Sequence, residues 1–219
     1  MSEQNAQANG GRWLGTDLRW LGDQPPPTAA DLHEAQGRTG DLPARIKPIN
    51  PAMQVWGPAY TVAVPPGDNL WLHRAISAAP EGSVLVAGQT QPAEAGYWGE
   101  ITTEAAMARG LRGLVFDGGV RDAAVLVELP FPIFAGQLCI RGTVKDPDSA
   151  GFVRLPITLG TARIRTGDLI VGDVDGVVVV PARNADRVVD AAVQRIEKER
   201  TMVEQIRQGA STLDLLGLR

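Results

Sequence analysis

With 219 residues, 44% of them apolar, and a formal net charge of -4, the chain is long enough to bury a core as one domain and carries no basic footprint for nucleic acid. No apolar run approaches the roughly 20 residues that cross a bilayer, and the first residues lack the basic-then-apolar order of a secretory signal. The single cysteine, Cys139, excludes an intrachain disulfide, so the expectation is a cytoplasmic protein without a membrane or nucleic-acid partner.

Residues 1–27, with Pro25-Pro26-Pro27, are predicted to form an arm ahead of one domain over 28–219. Trp13, Leu14, Trp20 and Leu21 give that arm enough apolar surface to dock on this or a neighbouring subunit. Thr28, three residues before Asp31, predicts a capping box and a short helix ending near Gly37 or Gly40. A strand over Ala59–Val64 follows, then a helix over Asn69–Ala79 whose Leu72, Ala75, Ile76 and Ala79 share a face.

Beyond the turn Pro80–Ser83 come a strand over Val84–Ala87, a helix over Glu100–Arg109 capped by Gly110, and a strand at Leu114-Val115-Phe116. Further strands are predicted at Pro132–Ala135, Leu155–Leu159, Leu169–Gly172 and Val177–Val180. A last helix should run from Asn184 to Gly209, its stripe of Val188, Val189, Ala192, Val193 and Ile196 packing on the core. Cys139, among apolar neighbours, reads as a buried packing residue.

Several catalytic devices are missing: a phosphate loop ending in Gly-Lys-Ser/Thr, a Gly-x-Gly-x-x-Gly turn and a Gly-x-Ser-x-Gly elbow. His33, His73 and one cysteine cannot build a thiolate or polyhistidine zinc site within one chain, so any metal should be a hard cation held by oxygen and largely hydrated. All but three of the 21 basic residues are arginine, whose planar fork suits a carboxylate.

The informative run is Leu114 to Asp122, where a buried-strand pattern breaks into Gly118-Gly119 and then offers Arg121 beside Asp122. The glycines allow close approach of a small ligand, Arg121 can fork onto a carboxylate or enolate oxygen, and Asp122 can ligate a divalent cation. Alone, such a pair at a turn is more often a structural salt bridge or a helix cap than a site. A second run, Gly96-Tyr97-Trp98-Gly99-Glu100, sits before a helix whose first amides could face an anion, with Glu100 as a proton-transfer group or a dipole partner.

Taken with Ala108-Arg109-Gly110, Asp117, Phe131-Pro132 and Gly142 to Lys145, these runs resemble the 4-hydroxy-4-methyl-2-oxoglutarate aldolase family, which also contains the regulator of ribonuclease E activity. Pro66 to Asn69, Gly167-Asp168 and Asp175-Gly176 extend the likeness over about residues 45–209. The resemblance implies an α/β fold of the swivelling β/β/α type: a compact layered domain whose central β-sandwich or barrel-like sheet is flanked by helices. It also implies homotrimers or hexamers with sites between subunits.

On the same resemblance, Arg121 and Glu100 are catalytic, Asp122 binds Mg or Mn, and Gly99, Glu100, Ile101, Thr102, Arg121 and Asn69 hold a 2-oxo acid. Glu197 or Glu199 of a neighbouring subunit is the expected extra acid. Many family members carry Asp where this chain has Glu100. The implied activity is cleavage of 2-oxo acids to pyruvate, accompanied by oxaloacetate decarboxylation. Two rivals are a Schiff-base aldolase on Lys145 and a noncatalytic protein-binding regulator; Asp122 speaks against the second.

Overall fold

The computed structural model describes residues 26–219 and, ahead of them, only the antiparallel backbone pairing of β1 (Arg12–Trp13) with β2 (Thr16–Asp17). The docking expected of Trp13, Leu14, Trp20 and Leu21 lies outside the described residues. In α1 (Ala29–Ala35) the predicted capping box is present: Asp31 N donates to Thr28 Oγ1 at 3.2 Å, and Thr28 N donates back to the Asp31 carboxylate at 3.2 Å. These bonds satisfy helix-end donors that have no intrahelical acceptor.

The sheet is built around β4 (Val55–Val64), with β5 (Val84–Gln89), β7 (Gly113–Val120) and β8 (Ile133–Leu138) parallel to it in that order. On the other side of β4 lies β12 (Leu169–Asp173), antiparallel to it, and beyond that β13 (Gly176–Val180), antiparallel to β12, while β3 (Lys47–Pro48) edges β8. β6 (Gly96–Trp98) adds to the end of β7 and β9 (Phe152–Val153) to β4, giving nine strands. Lys47 Nζ on β3 reaches the Asp175 carbonyl between β12 and β13, so the two edges meet and the sheet nearly closes into a barrel.

Strand periodicity explains the closure. Along β5, Val84 and Val86 point one way and Leu85 and Ala87 the other, and both sets are buried. The first set joins Val55, Val115, Phe134 and Ile170 inside the barrel. The second joins Tyr60, Val62 and Phe116 under α2 (Leu70–Ala78) and α3 (Glu100–Ala108). A third cluster seats α1 and α5 (Ala185–Arg207) on Leu169, Val171 and Val178.

The structure departs from the sequence reading in four places. The strand predicted at Leu114-Val115-Phe116 does not stop at the glycines but runs on to Val120, with its register to β8 shifting between Phe116 and Gly119. The strand expected at Leu155–Leu159 is β10 (Ile157–Leu159), in a separate hairpin with β11 (Ala162–Ile164). The α5 stripe is core only over its first turns: Val188 and Ala192 are buried, whereas Val193 and Ile196 are 54% and 39% exposed. Two short helices were not expected: α4 (Ala123–Leu126) directly after β7 and, after α5 and Gly209, α6 (Thr212–Leu215).

Asp68 fastens the start of α2 to a distant loop: one carboxylate oxygen accepts from Leu70 N at 2.7 Å and the other from Asp146 N at 2.8 Å. Burial pushes its pKa up, but these amide hydrogen bonds outweigh it and leave the value lowered. A carboxylate with a depressed folded pKa stabilises above its unfolded pKa of about 3.9, and that stability is lost as pH falls through the folded value. Asp68→Asn is therefore expected to lower stability by about 1–3 kcal/mol at neutral pH. Denaturant midpoints should show the gap to wild type narrowing below about pH 4; a gap independent of pH would assign the loss to shape and not charge.

Candidate functional site

Three parallel strand ends converge on one spot. Arg121 N donates to Trp98 O at 2.8 Å, tying the end of β7 to β6, and Cys139 N donates to Val120 O at 2.8 Å, tying it to the end of β8. The C-terminal edge of parallel strands is where α/β folds open toward ligands, because side chains and helix starts point there together. Gly119 is required on the way, since a Cβ would lie 2.2 Å from Ala95 O.

Asp122 then takes a left-handed conformation, φ 61°, at the head of α4. Asp tolerates that region better than most residues, and the turn swings its carboxylate back under α3. Glu100 N donates to Asp122 Oδ2 at 3.1 Å, and Arg121 Nε lies 3.9 Å from the same oxygen. Gly99 makes this approach possible, because a Cβ there would stand 2.3 Å from Asp122 Oδ2.

The loop before α3 is held from behind. Thr102 Oγ1 accepts from Gly99 N at 2.9 Å and donates to Gly99 O at 2.8 Å, while Thr103 Oγ1 donates to the same carbonyl and accepts from Trp98 Nε1 at 2.7 Å. Trp98 is buried and stacked on Phe131, and Tyr97 meets Phe116 edge-on. Tyr97 and Trp98 therefore pack behind the site and do not line it. Burial pushes the Tyr97 phenol pKa up, and its hydroxyl accepts from Gly67 N at 2.7 Å.

Facing solvent is a cavity of about 490 Å³ lined by residues 120–123 and 138–140. The Arg121 and Asp122 side chains are 47% and 40% exposed at it. The amides of Ile101 and Thr102 belong to the first turn of α3, where backbone donors have no acceptor within the helix, and α3 adjoins Asp122 through Glu100 N. Glu100 and Ile101 are exposed, whereas the Thr102 side chain is buried in its capping role.

The structure thus brings Gly99, Glu100, Arg121 and Asp122 together. Asn69 lies behind them, buried, with Nδ2 donating to Tyr97 O at 2.8 Å and Oδ1 without a partner. Glu197 and Glu199 sit on the exposed half of α5, outside the cavity lining, and Glu199 pairs with Arg195 at 2.6 Å. Asp117 is held by a two-point ion pair with Arg45, at 2.8 and 2.6 Å, which locks β7 to the segment before β3. Lys145 is exposed.

Cys139, expected as a buried packing residue, is half-buried and lines the cavity with Leu138 and Ile140. Sequence reasoning gave none of the three a place at the site, although they follow a predicted strand on the edge where ligands gather. A hard, hydrated cation fits the donor set. Asp122 offers a half-exposed carboxylate, and among the described residues no cluster of three His, Cys, Asp or Glu forms, so water and ligand oxygens would fill the remaining positions.

The family model described as Aldolase/RraA matches residues 23–179. A protein of Halalkalibacterium halodurans with the provisional name 4-hydroxy-4-methyl-2-oxoglutarate aldolase is 34% identical over 193 residues, 88% of each chain. Among solved structures, an uncharacterised protein from Pseudomonas syringae superposes with a TM-score of 0.74 at 30% identity, over 84% of this chain and 86% of its own. RraAS2 of Streptomyces coelicolor, described as an unusual member of the RNase ES inhibitor RraA family, gives 0.67 at 28% identity, over 81% and 90%. No helix among the described residues is long and apolar enough to cross a membrane.

Proposed function

Since the chain belongs to the Aldolase/RraA family, we propose that it is a divalent-metal-dependent lyase that cleaves a carbon–carbon bond of 2-oxo acids to release pyruvate, with oxaloacetate decarboxylation as an accompanying activity. The observation that carries this reading is the meeting of Arg121 and Asp122 at one open cavity, with the start of α3 bonded to Asp122 through Glu100 N. A cation, an anion that can hold a metal, and a helix N-terminus are the parts needed to bind a 2-oxo carboxylate and to stabilise the negative charge that grows beside it.

Asp122 would hold Mg or Mn, which when bound supplies Lewis-acid polarisation of the 2-oxo group. The Arg121 guanidinium donates to the C2 oxygen as it takes up the electron pair of the breaking C3–C4 bond. The Ile101 and Thr102 amides orient the C1 carboxylate. Glu100 accepts the proton of the C4 hydroxyl, directly or through water, as that oxygen becomes the carbonyl of the second product. Return of a proton to C3 completes pyruvate. In oxaloacetate the broken bond releases carbon dioxide and no hydroxyl base is needed.

On this reading the working unit is a homotrimer or hexamer, with Glu197 or Glu199 of an adjacent copy completing the cavity. The likeness to RraAS2 supports a second reading, a noncatalytic regulator that binds protein. The experiment that separates the two is pyruvate release from 4-hydroxy-4-methyl-2-oxoglutarate and from oxaloacetate, with Mg or Mn and with excess EDTA. Release that depends on metal is expected from both; a folded, metal-supplied protein that releases none would turn the assignment to the regulator.

A further inference from the structure

Between Phe116 and Gly119 the register of β7 against β8 slips: Phe116 faces Ala135 and Gly119 faces Gln137, so Asp117 and Gly118 together stand opposite Gly136. An extra residue of this kind interrupts the ladder, bends the strand and re-aims the side chains beyond it. It falls where β7 changes partner. Asp117 makes the last pairing with β5, opposite Gly88, and from Gly119 onward the strand pairs with β6 instead. At such a handover the ladder alone does not fix the direction of the strand, and Arg121 and Asp122 follow directly.

Side chains supply the restraint. Arg45 Nε and Nη2 donate to the two carboxylate oxygens of Asp117 at 2.8 and 2.6 Å, and Gln89 Nε2 donates to Asp117 O at 3.2 Å. Gln89 Oε1 in turn accepts from Ala93 N at 2.8 Å and from the Tyr97 hydroxyl at 3.1 Å, which ties the bulge to the segment entering β6. An exposed ion pair usually contributes little to stability. This one is two-pointed on a carboxylate only 17% exposed, the geometry in which arginine fixes direction as well as charge. Both residues line a separate cavity of about 460 Å³ that shares no lining residue with the cavity beside Arg121, so within one protomer their influence on Arg121 must pass through β7.

We infer that Asp117, clamped by Arg45, is a positioning residue: the pair fixes the bulge and thereby the angle at which Arg121 and Asp122 leave the strand end. The inference rests on the proposed role of those two side chains in pyruvate release. Without the clamp, β7 keeps Leu114, Val115 and Phe116 in the core, so the fold survives while the strand beyond the bulge swings. A displacement of about 1 Å at the reacting groups can cost about 10²-fold in rate.

The test compares Arg45→Met, Asp117→Asn and the double variant with wild type, by pyruvate release from oxaloacetate with Mn and by amide hydrogen exchange. Each single variant is expected to lower kcat by about 10- to 100-fold, with KM changed far less. The double variant should fall no further, because both substitutions undo one clamp. Exchange at Arg121 and Cys139, whose amides bond Trp98 O and Val120 O and so join the strand ends, should quicken about tenfold while amides in the β4–β5 pairing keep their wild-type rates. Should Asp117→Asn fail to fold, Arg45→Met, at a side chain 60% exposed, still gives both readings. Wild-type kcat in the single variants, additive losses in the double variant, or exchange that is unchanged or quickens everywhere alike overturns the inference. If wild type itself releases no pyruvate, the lyase reading falls and exchange alone judges the clamp: quickening confined to the strand ends upholds it, and any other pattern overturns it.

Discussion

Asp122→Ala is expected to lower metal-dependent pyruvate release by about 10²–10³-fold or more, the range found when one preorganised charge-stabilising group is lost from an active site. The fold should persist, because this carboxylate is half-exposed and, among the described residues, accepts a backbone hydrogen bond from Glu100 N alone. Asp122→Asn separates the two roles of the side chain. Asn tolerates the left-handed backbone at this position and keeps an oxygen for Glu100 N, but it removes the charge that would hold Mg or Mn.

If charge is what matters, the Asn and Ala variants fall together in turnover and both lose Mn affinity, followed by the signal of free Mn in solution. If the carboxylate only shapes the start of α3, Asn retains most of the activity. Arg121→Lys is the companion variant, keeping the positive charge while losing the planar two-point donor. Asp122→Ala with undiminished, EDTA-sensitive turnover would remove Asp122 from the metal site.

The residues that could be read from sequence are those whose local chemistry decides their place. Thr28 and Asp31 cap α1 as their spacing requires, and the alternation in Val84–Ala87 appears as two buried faces. Arg121 and Asp122 stood out because a buried-strand pattern breaks there into glycines beside a cation and an anion; a salt bridge or a helix cap explains such a pair as well, and the second run and the family resemblance gave it weight as a site. Gly99 and Glu100 were legible as the start of a helix, and the structure joins the two runs through the pairing of β6 with β7, the bond from Arg121 N to Trp98 O and the bond from Glu100 N to Asp122.

What sequence could not give were relations between distant segments. β3 has two residues, too few for any period, and exists because β8 offers it an edge. Gly118 and Gly119 looked like the end of a strand, since glycine has no side chain to continue an apolar pattern. They stay in β7 because the neighbours leave no room: a Cβ at Gly118 would strike the Phe116 ring, and one at Gly119 would strike Ala95 O. Cys139 and Ile140 carried no polar signal at all. Their part in the cavity comes from β8 ending beside β7, a matter of topology and not of residue type.

Gly99→Ala tests whether that assembled geometry is what the chemistry needs. At Gly99 φ is -161°, extended backbone that alanine adopts without strain, so the substitution acts through space alone. The added methyl would lie 2.3 Å from Asp122 Oδ2 and 3.2 Å from Arg121 Cγ, and both side chains are free to swing outward into the cavity. Relief costs little stability but moves the carboxylate and the guanidinium by an ångström or more. Misplacement on that scale can cost about 10²-fold in rate. The expected result is a melting temperature close to wild type with pyruvate release down about 10²-fold. Gly142→Ala, where a Cβ meets nothing within 4 Å, should leave both unchanged. If Gly99→Ala instead unfolds the protein while sparing the turnover of what remains folded, the glycine serves packing between β6 and α3, and the positions of Arg121 and Asp122 are set by the strand ends alone.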